Sequence, residues 1–157
     1  MDVSDHIEYE EVNNPSEIAT YTAVAVANDF KHIHLHSVGR NFDRLHNICE
    51  EYYEKASEQT DTLAEYCLEN GVSSLCNFSC AAEIVNWEPQ DAQRYDFESG
   101  MNAMKSVIAL YVKSLLQMRE AINDESMQSV LDDFIRYWRK ELMYKLKRRT
   151  VRLGNSI

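Results

Sequence analysis

Five residues stand out by chemical type and spacing: His34, His46, Glu50, Asp61 and Glu65. Imidazole and carboxylate donors together suit Fe(II), and open coordination positions beside them let an oxidant approach. Their spacing keeps them from meeting within one molecule. If residues 42–70 form one helix, Asp61 sits 15 residues past His46, a rise of roughly 22 Å. The set makes chemical sense as two half-sites. His46/Glu50 and Asp61/Glu65 are each i, i+4 pairs, and an antiparallel two-fold dimer sets the first pair of one subunit against the second pair of the other. His34 can join from behind.

The elements that position these residues are helical. Asn14-Pro15-Ser16-Glu17 places a cap residue before proline at the first helical position and glutamate at the third. A first helix is expected from there to about Val38, with Ile18, Tyr21, Ala25 and Asn28 on one stripe and Gly39 as its stop. Asn41 is expected to cap a second helix, whose apolar stripe Phe42, Leu45, Cys49, Tyr52, Ala56, Thr60, Leu63 and Cys67 repeats in steps of three and four up to Asn70-Gly71. Beside it runs a polar stripe, His46, Glu50, Tyr53, Ser57, Asp61 and Glu65.

Residues 72–97 read as a crossover with a short helix within Ser79–Trp87. A third helix carries Met101, Met104, Ile108, Tyr111, Leu115, Met118 and Ile122. After the cap Asn123-Asp124-Glu125, a fourth carries Met127, Leu131, Phe134, Trp138, Leu142 and Lys145. Four long helices with one long middle connection describe an all-α, ferritin-like four-helix bundle with a short helix in the crossover.

At 157 residues the chain has the length of a single domain, with 1–15 as an acidic N-terminal segment and 145–157 as a basic C-terminal tail. The first residues lack the basic and apolar regions of a secretory signal, and no run of about 20 apolar residues would cross a membrane. The expectation is a soluble, cytoplasmic protein. Cys49 and Cys67 fall on apolar helix positions, and all four cysteines, including Cys76 and Cys80, lack zinc-module spacing. They are expected to be structural thiols, with redox activity at Cys76/Cys80 as the alternative.

The net charge is −10, but residues 136–157 hold 8 of the 16 basic residues and one acid, Glu141. That stretch carries +7, which leaves −17 on residues 1–135. An acidic body of this kind disfavours nonspecific nucleic-acid binding and favours cations.

The segment His34-Leu-His-Ser-Val-Gly-Arg-Asn-Phe-Asp-Arg-Leu-His46 resembles the H-W-x-x-x-G-x-x-F-x-x-x-H signature of the Dps family, the mini-ferritins named as DNA-binding proteins from starved cells. Asp61-Thr-Leu-Ala-Glu65 resembles the same family's D-x-x-A-E element. The resemblance implies that His34 and His46 of one subunit, with Asp61 and Glu65 of its dimer partner, bind two iron ions per inter-subunit ferroxidase site. It further implies Fe(II) oxidation by hydrogen peroxide or dioxygen, mineral storage in a dodecameric shell, and protection against oxidative stress.

Two positions depart from the pattern: Glu50 stands where aspartate is usual, and Leu35 stands where the family has tryptophan. The family's three-fold channels make Asp124, Asp132 and Asp133 candidate pore residues. DNA-binding members often use a basic N-terminal tail, and this one is acidic; Lys145, Lys147, Arg148, Arg149 and Arg152 are the substitutes if they project outward.

Two other readings compete. Asp29-x-x-His32 and Asp43-x-x-His46 weakly mimic the Glu-x-x-His repeats of an in-bundle di-metal oxidase. A noncatalytic, DNA-compacting or structural shell would keep the fold without the chemistry.

Overall fold

The computed structural model describes residues 14–72 and 78–149. Residues 1–13, Cys76 and Arg152 lie outside the described residues. The described chain runs α1 (Pro15–Leu35), α2 (Phe42–Glu69), a 3-10 turn (Phe78–Cys80) continuing into α3 (Ala81–Ile84), then α4 (Phe97–Ala121) and α5 (Glu125–Lys140). A π-type turn (Glu141–Lys145) leads from α5 into α6 (Leu146–Arg149). α1 packs most extensively on α2 and then on α4, and α5 packs on α4. The result is a four-helix bundle whose long connection joins α2 to α4.

Most helix ends follow from local chemistry. The side chains of Asn14, Asp96 and Asp124 accept backbone N–H groups from Ser16, Ser99 and Met127 at 2.8, 2.8 and 3.1 Å, satisfying donors that the first turns leave open. α2 ends at the expected place. Gly71 adopts φ +75, and the amides of Val72 and Gly71 donate back to Cys67 O and Leu68 O, the paired bonds of a Schellman stop.

Four expectations need correction. α1 stops at Leu35 rather than Val38, because the chain beyond it pairs with the crossover. Val38 N donates to Tyr95 O and Tyr95 N to His36 O, each at 2.9 Å. Asn41 precedes α2 but takes the left-handed φ of +67 and makes no side-chain cap. The stripe expected on α1 holds only in part: Tyr21 and Ala25 are buried, but Asn28 is exposed and Ile18 half-buried, while Ala19, Ala23, Val26, Phe30 and Ile33 are buried as well. The small residues of this helix make several rows equally apolar, and the row ending in Phe30 and Ile33 buries the larger side chains. The crossover helix is also shorter than anticipated, since Asn86 turns to φ +51 soon after Ile84.

The expected stripes of α2 and α4 are buried except at Phe42, which is 39% exposed, and the half-buried Ile122. Trp138 of α5 is fully buried, with the rings of Phe30, Tyr52, Tyr111 and Tyr137 within 5.7 Å of it, centre to centre. Gln59 of α2 joins this apolar centre, its Oε1 accepting both Tyr111 Oη at 3.0 Å and Trp138 Nε1 at 2.8 Å. At Gly100, an added Cβ would lie 2.7 Å from Leu45 Cδ2, so α2 and α4 approach closely there. Cys49 and Cys67 are buried, and burial pushes the Cys49 thiol up to about 12.

Asp29, 2% exposed, pins the crossover to α1. Its carboxylate accepts Trp87 Nε1 at 2.7 Å and Gln90 N at 3.0 Å. Burial raises its pKa, against the lowering effect of those two hydrogen bonds and of His32.

Replacing Gln59 with leucine leaves the Tyr111 hydroxyl and the Trp138 indole N–H buried without that acceptor. A loss of about 2–4 kcal/mol is expected in urea denaturation with an unchanged slope. For Asp29 the raised folded pKa sets the sign. Its contribution is fully present below the ordinary carboxylate value of about 3.9 and is lost as pH rises through the folded value. Wild-type stability relative to Asp29→Asn therefore falls as pH is raised from about 4 toward neutrality. Parallel pH–stability curves for the two proteins would contradict this.

Candidate metal centre

The return from α1 to α2 brings His34 and His46 together. Their rings stack with centroids 3.7 Å apart and planes inclined by 23°. His34 Nδ1 lies 3.0 Å from His46 O, and His46 Nδ1 lies 3.1 Å from His34 O. A carbonyl oxygen can only accept, so each Nδ1 carries a proton, and in the neutral ring each Nε2 keeps its lone pair. This is the arrangement by which backbone carbonyls fix and orient metal-binding histidines. It also serves the fold, since His34 O belongs to the last turn of α1, where carbonyls lack intrahelical partners.

Phe42, one turn earlier on α2, also packs on His46, with its ring centre 5.0 Å away. His46 thus touches two rings. The periodicity of α2 assigned Phe42 to the core. Its place four residues before His46 was the signal that it could serve the site face instead.

His34 is buried and His46 half-buried, while Glu50, Asp61 and Glu65 are exposed along α2. The structure brings the two histidines together and leaves the acids of the second pair farther along the same rod. Among the described residues, no group of three or more His, Cys, Asp or Glu side chains gathers around one point. Between the two pairs lies Tyr53, half-buried, with Lys31 Nζ of α1 4.8 Å from its ring centre.

The motifs that mimicked an in-bundle site are otherwise engaged. Asp29 holds the crossover, His32 Nε2 donates to Ala92 O at 2.8 Å, and Asp43 is exposed. Glu141, at the start of the π-type turn after α5, is buried, and Lys145 Nζ binds it at 2.7 Å.

The remaining candidates are scattered. Asp124 caps α5 through Met127 N. Asp132 accepts Arg119 Nε at 2.6 Å, and this bond holds its carboxyl below the usual range. Asp133 is exposed. Of the basic residues expected to project outward, Lys145 and Arg149 instead turn inward onto Glu141, with nitrogen–oxygen distances of 2.7 and 3.6 Å. A buried carboxylate draws in the cations within reach. Lys147 and Arg148 are exposed. No helix among the described residues is long and apolar enough to cross a membrane.

Residues 21–144 match the family model of the ferritin-like domain. No curated protein is similar enough to the sequence to register as a match. Among solved structures, the Dps of Mycobacterium smegmatis superposes with a TM-score of 0.78 at 16% identity, covering 91% of this chain and 87% of that one. A Vibrio cholerae Dps, described as a member of a broad superfamily of ferritin-like diiron-carboxylate proteins, gives 0.78 at 19% identity over 88% and 87%. The Treponema pallidum antigen TpF1 gives 0.76 at 18% identity over 86% and 89%. With the family model covering most of its length and the same four-helix arrangement as the Dps structures, the chain belongs to the ferritin-like family.

Proposed function

We propose that this protein is a Dps-type mini-ferritin: it oxidises Fe(II) with hydrogen peroxide at sites shared by two-fold related subunits, and stores the ferric product in a hollow dodecameric shell. The observation that carries this reading is the stacked, reciprocally hydrogen-bonded pair His34/His46 at one end of a rigid helix whose matching carboxylates stand at its other end. In an antiparallel dimer the partner's Asp61 and the partner's Glu65 meet this pair, and the same contact is repeated across the axis. The in-bundle oxidase has no comparable support.

The ring stack bears on stoichiometry. An ion bound by an imidazole lies close to the ring plane, about 2.1 Å from nitrogen. Two rings whose centres lie 3.7 Å apart, with planes inclined by only 23°, are poorly placed to share one ion in both planes at that distance. This supports one ion for each histidine, with Glu50 and the partner's carboxylates available to both. Two Fe(II) ions side by side supply two electrons to peroxide at once, which avoids release of hydroxyl radical. The exposed acids of α2, Asp43, Glu50, Glu51, Glu54, Glu58, Asp61, Glu65 and Glu69, attract Fe(II) and bias the surface toward cations. Asp124, Asp132 and Asp133 are the proposed lining of the channels that admit it. DNA compaction is not part of the proposal, because Lys145 and Arg149 are committed to Glu141.

The shared site is tested by complementation. His46→Ala and Asp61→Ala homodimers should each lose Fe(II) oxidation by peroxide, followed by near-ultraviolet absorbance. Co-assembly of the two variants should recover about a quarter of the wild-type sites, since half the dimers are mixed and each mixed dimer rebuilds one site of two. No recovery, or full activity in either variant alone, would rule out a site divided between subunits.

A further inference from the structure

Where α1 and α2 meet around the histidine pair, large apolar side chains stand open to solvent. Leu35, which follows His34, is 66% exposed, and Phe42, whose ring packs on His46, is 39% exposed. Leu68, near the other end of α2, is 60% exposed. It lies seven residues past Asp61 and three past Glu65, spacings that keep it on the face of that acid pair. Apolar groups of this size, left open beside polar ones, mark a surface that another chain covers.

The divided ligand set decides what covers it. Phe42 stands six residues before the midpoint of the His46/Glu50 pair, and Leu68 stands five residues past the midpoint of the Asp61/Glu65 pair. When the two pairs face each other across antiparallel helices, both steps run in the same direction, by about 9 Å and about 7.5 Å. The partner's Leu68 then arrives within about 2 Å of the level of Phe42 along the axis.

We propose that the partner's Leu68 closes the iron site at its Phe42 end by packing over Phe42 and Leu35. The proposal rests on the shared-site reading above. Two-fold symmetry makes the contact reciprocal, since Leu68 of this chain covers the partner's Phe42 and the partner's Leu35 in turn. The cover puts hydrocarbon where water would otherwise reach the ions. Excluding water there strengthens the attraction between Fe(II) and the carboxylates. A leucine cover also discriminates by size, passing hydrogen peroxide while holding back a bulky chelator.

Disulfide cross-linking of the full-length protein reads the contact. Positions 42 and 68 are 26 residues apart on one helix, about 39 Å, so a bond between cysteines placed there can only join two subunits. Mild oxidation of Phe42→Cys/Leu68→Cys is expected to give at least tenfold more covalent dimer than either single variant, whose yields measure the background from the native cysteines. Phe42→Cys/Glu58→Cys moves the second thiol ten residues, about 15 Å, and should stay at that background. Closure is read separately, with Fe(II) bound in the absence of oxidant and then offered bipyridine. Release should be at least fivefold faster in Leu68→Ala, and Phe42→Ala/Leu68→Ala should be no faster than the faster single variant, because either change opens the same contact. These side chains are exposed, so the substitutions spare the core. As much dimer from the Glu58 pair as from the Leu68 pair would overturn this contact alone. So would the absence of cross-linking in a protein whose His46→Ala and Asp61→Ala variants complement each other, or an unchanged release rate in Leu68→Ala. Failure of both cross-linking and complementation, or a wild type that binds no Fe(II), would overturn it together with the shared-site reading.

Discussion

A straight α-helix cannot bring its own distant residues together, and the arrangement of this protein follows from that. α2 is 28 residues long, about 42 Å. Its rotation is set from inside: Leu45, Cys49, Tyr52, Ala56, Leu63 and Cys67 are all fully buried. Gln59 is keyed to Tyr111 and Trp138, and Leu45 meets α4 where Gly100 makes room. A slip of one residue would turn the helix by about 100° and break all three arrangements. With the core face fixed, Glu50, Asp61 and Glu65 have to face outward. Packing, not metal, decides where the acids stand.

The histidine pair is prepared in the same sense. Each ring donates to the other residue's backbone carbonyl and stacks on the other ring, so neither depends on a ligand for its orientation. The last turn of α1 is braced on its opposite side by the crossover, through Asp29, His32 and the pairing of Tyr95 with residues 36–38. The long connection between α2 and α4 is therefore more than a link, because it steadies the helix end that presents His34.

Much of this was legible in the sequence. The helix order, the caps at Asn14 and Asp124, the stop at Asn70-Gly71 and the core stripes of α2 and α4 depend on local chemistry and periodicity, which one chain displays in full. The misreadings at Val38 and Asn28 share another origin, in contacts made by distant segments: the crossover captures residues 36–38, and neighbouring helices select which row of α1 is buried. Glu141 was the least legible residue. In the sequence it is one acid in a basic stretch, and only the fold reveals that Tyr52, Lys145 and Arg149 converge on it. The π-type turn at Glu141–Lys145 spaces the buried positions Glu141 and Leu146 five residues apart, a step that a 3.6-residue period does not anticipate.

The substitution at Glu50 has a physical reading in this setting. His46 packs on the rings of His34 and Phe42, and His34 is buried, so the imidazoles have little room to move toward an ion. Adjustment in the proposed site must then come from the carboxylates. Glu50 lies one turn from His46 on the same face and is exposed, and it has one more methylene than aspartate and one more rotatable bond. That extra bond costs some side-chain entropy on binding. It also lets the carboxylate reach an ion placed by rings that do not yield. A rigid pair of histidines and a longer acid beside them are complementary choices, because the freedom removed from one ligand is restored in the other.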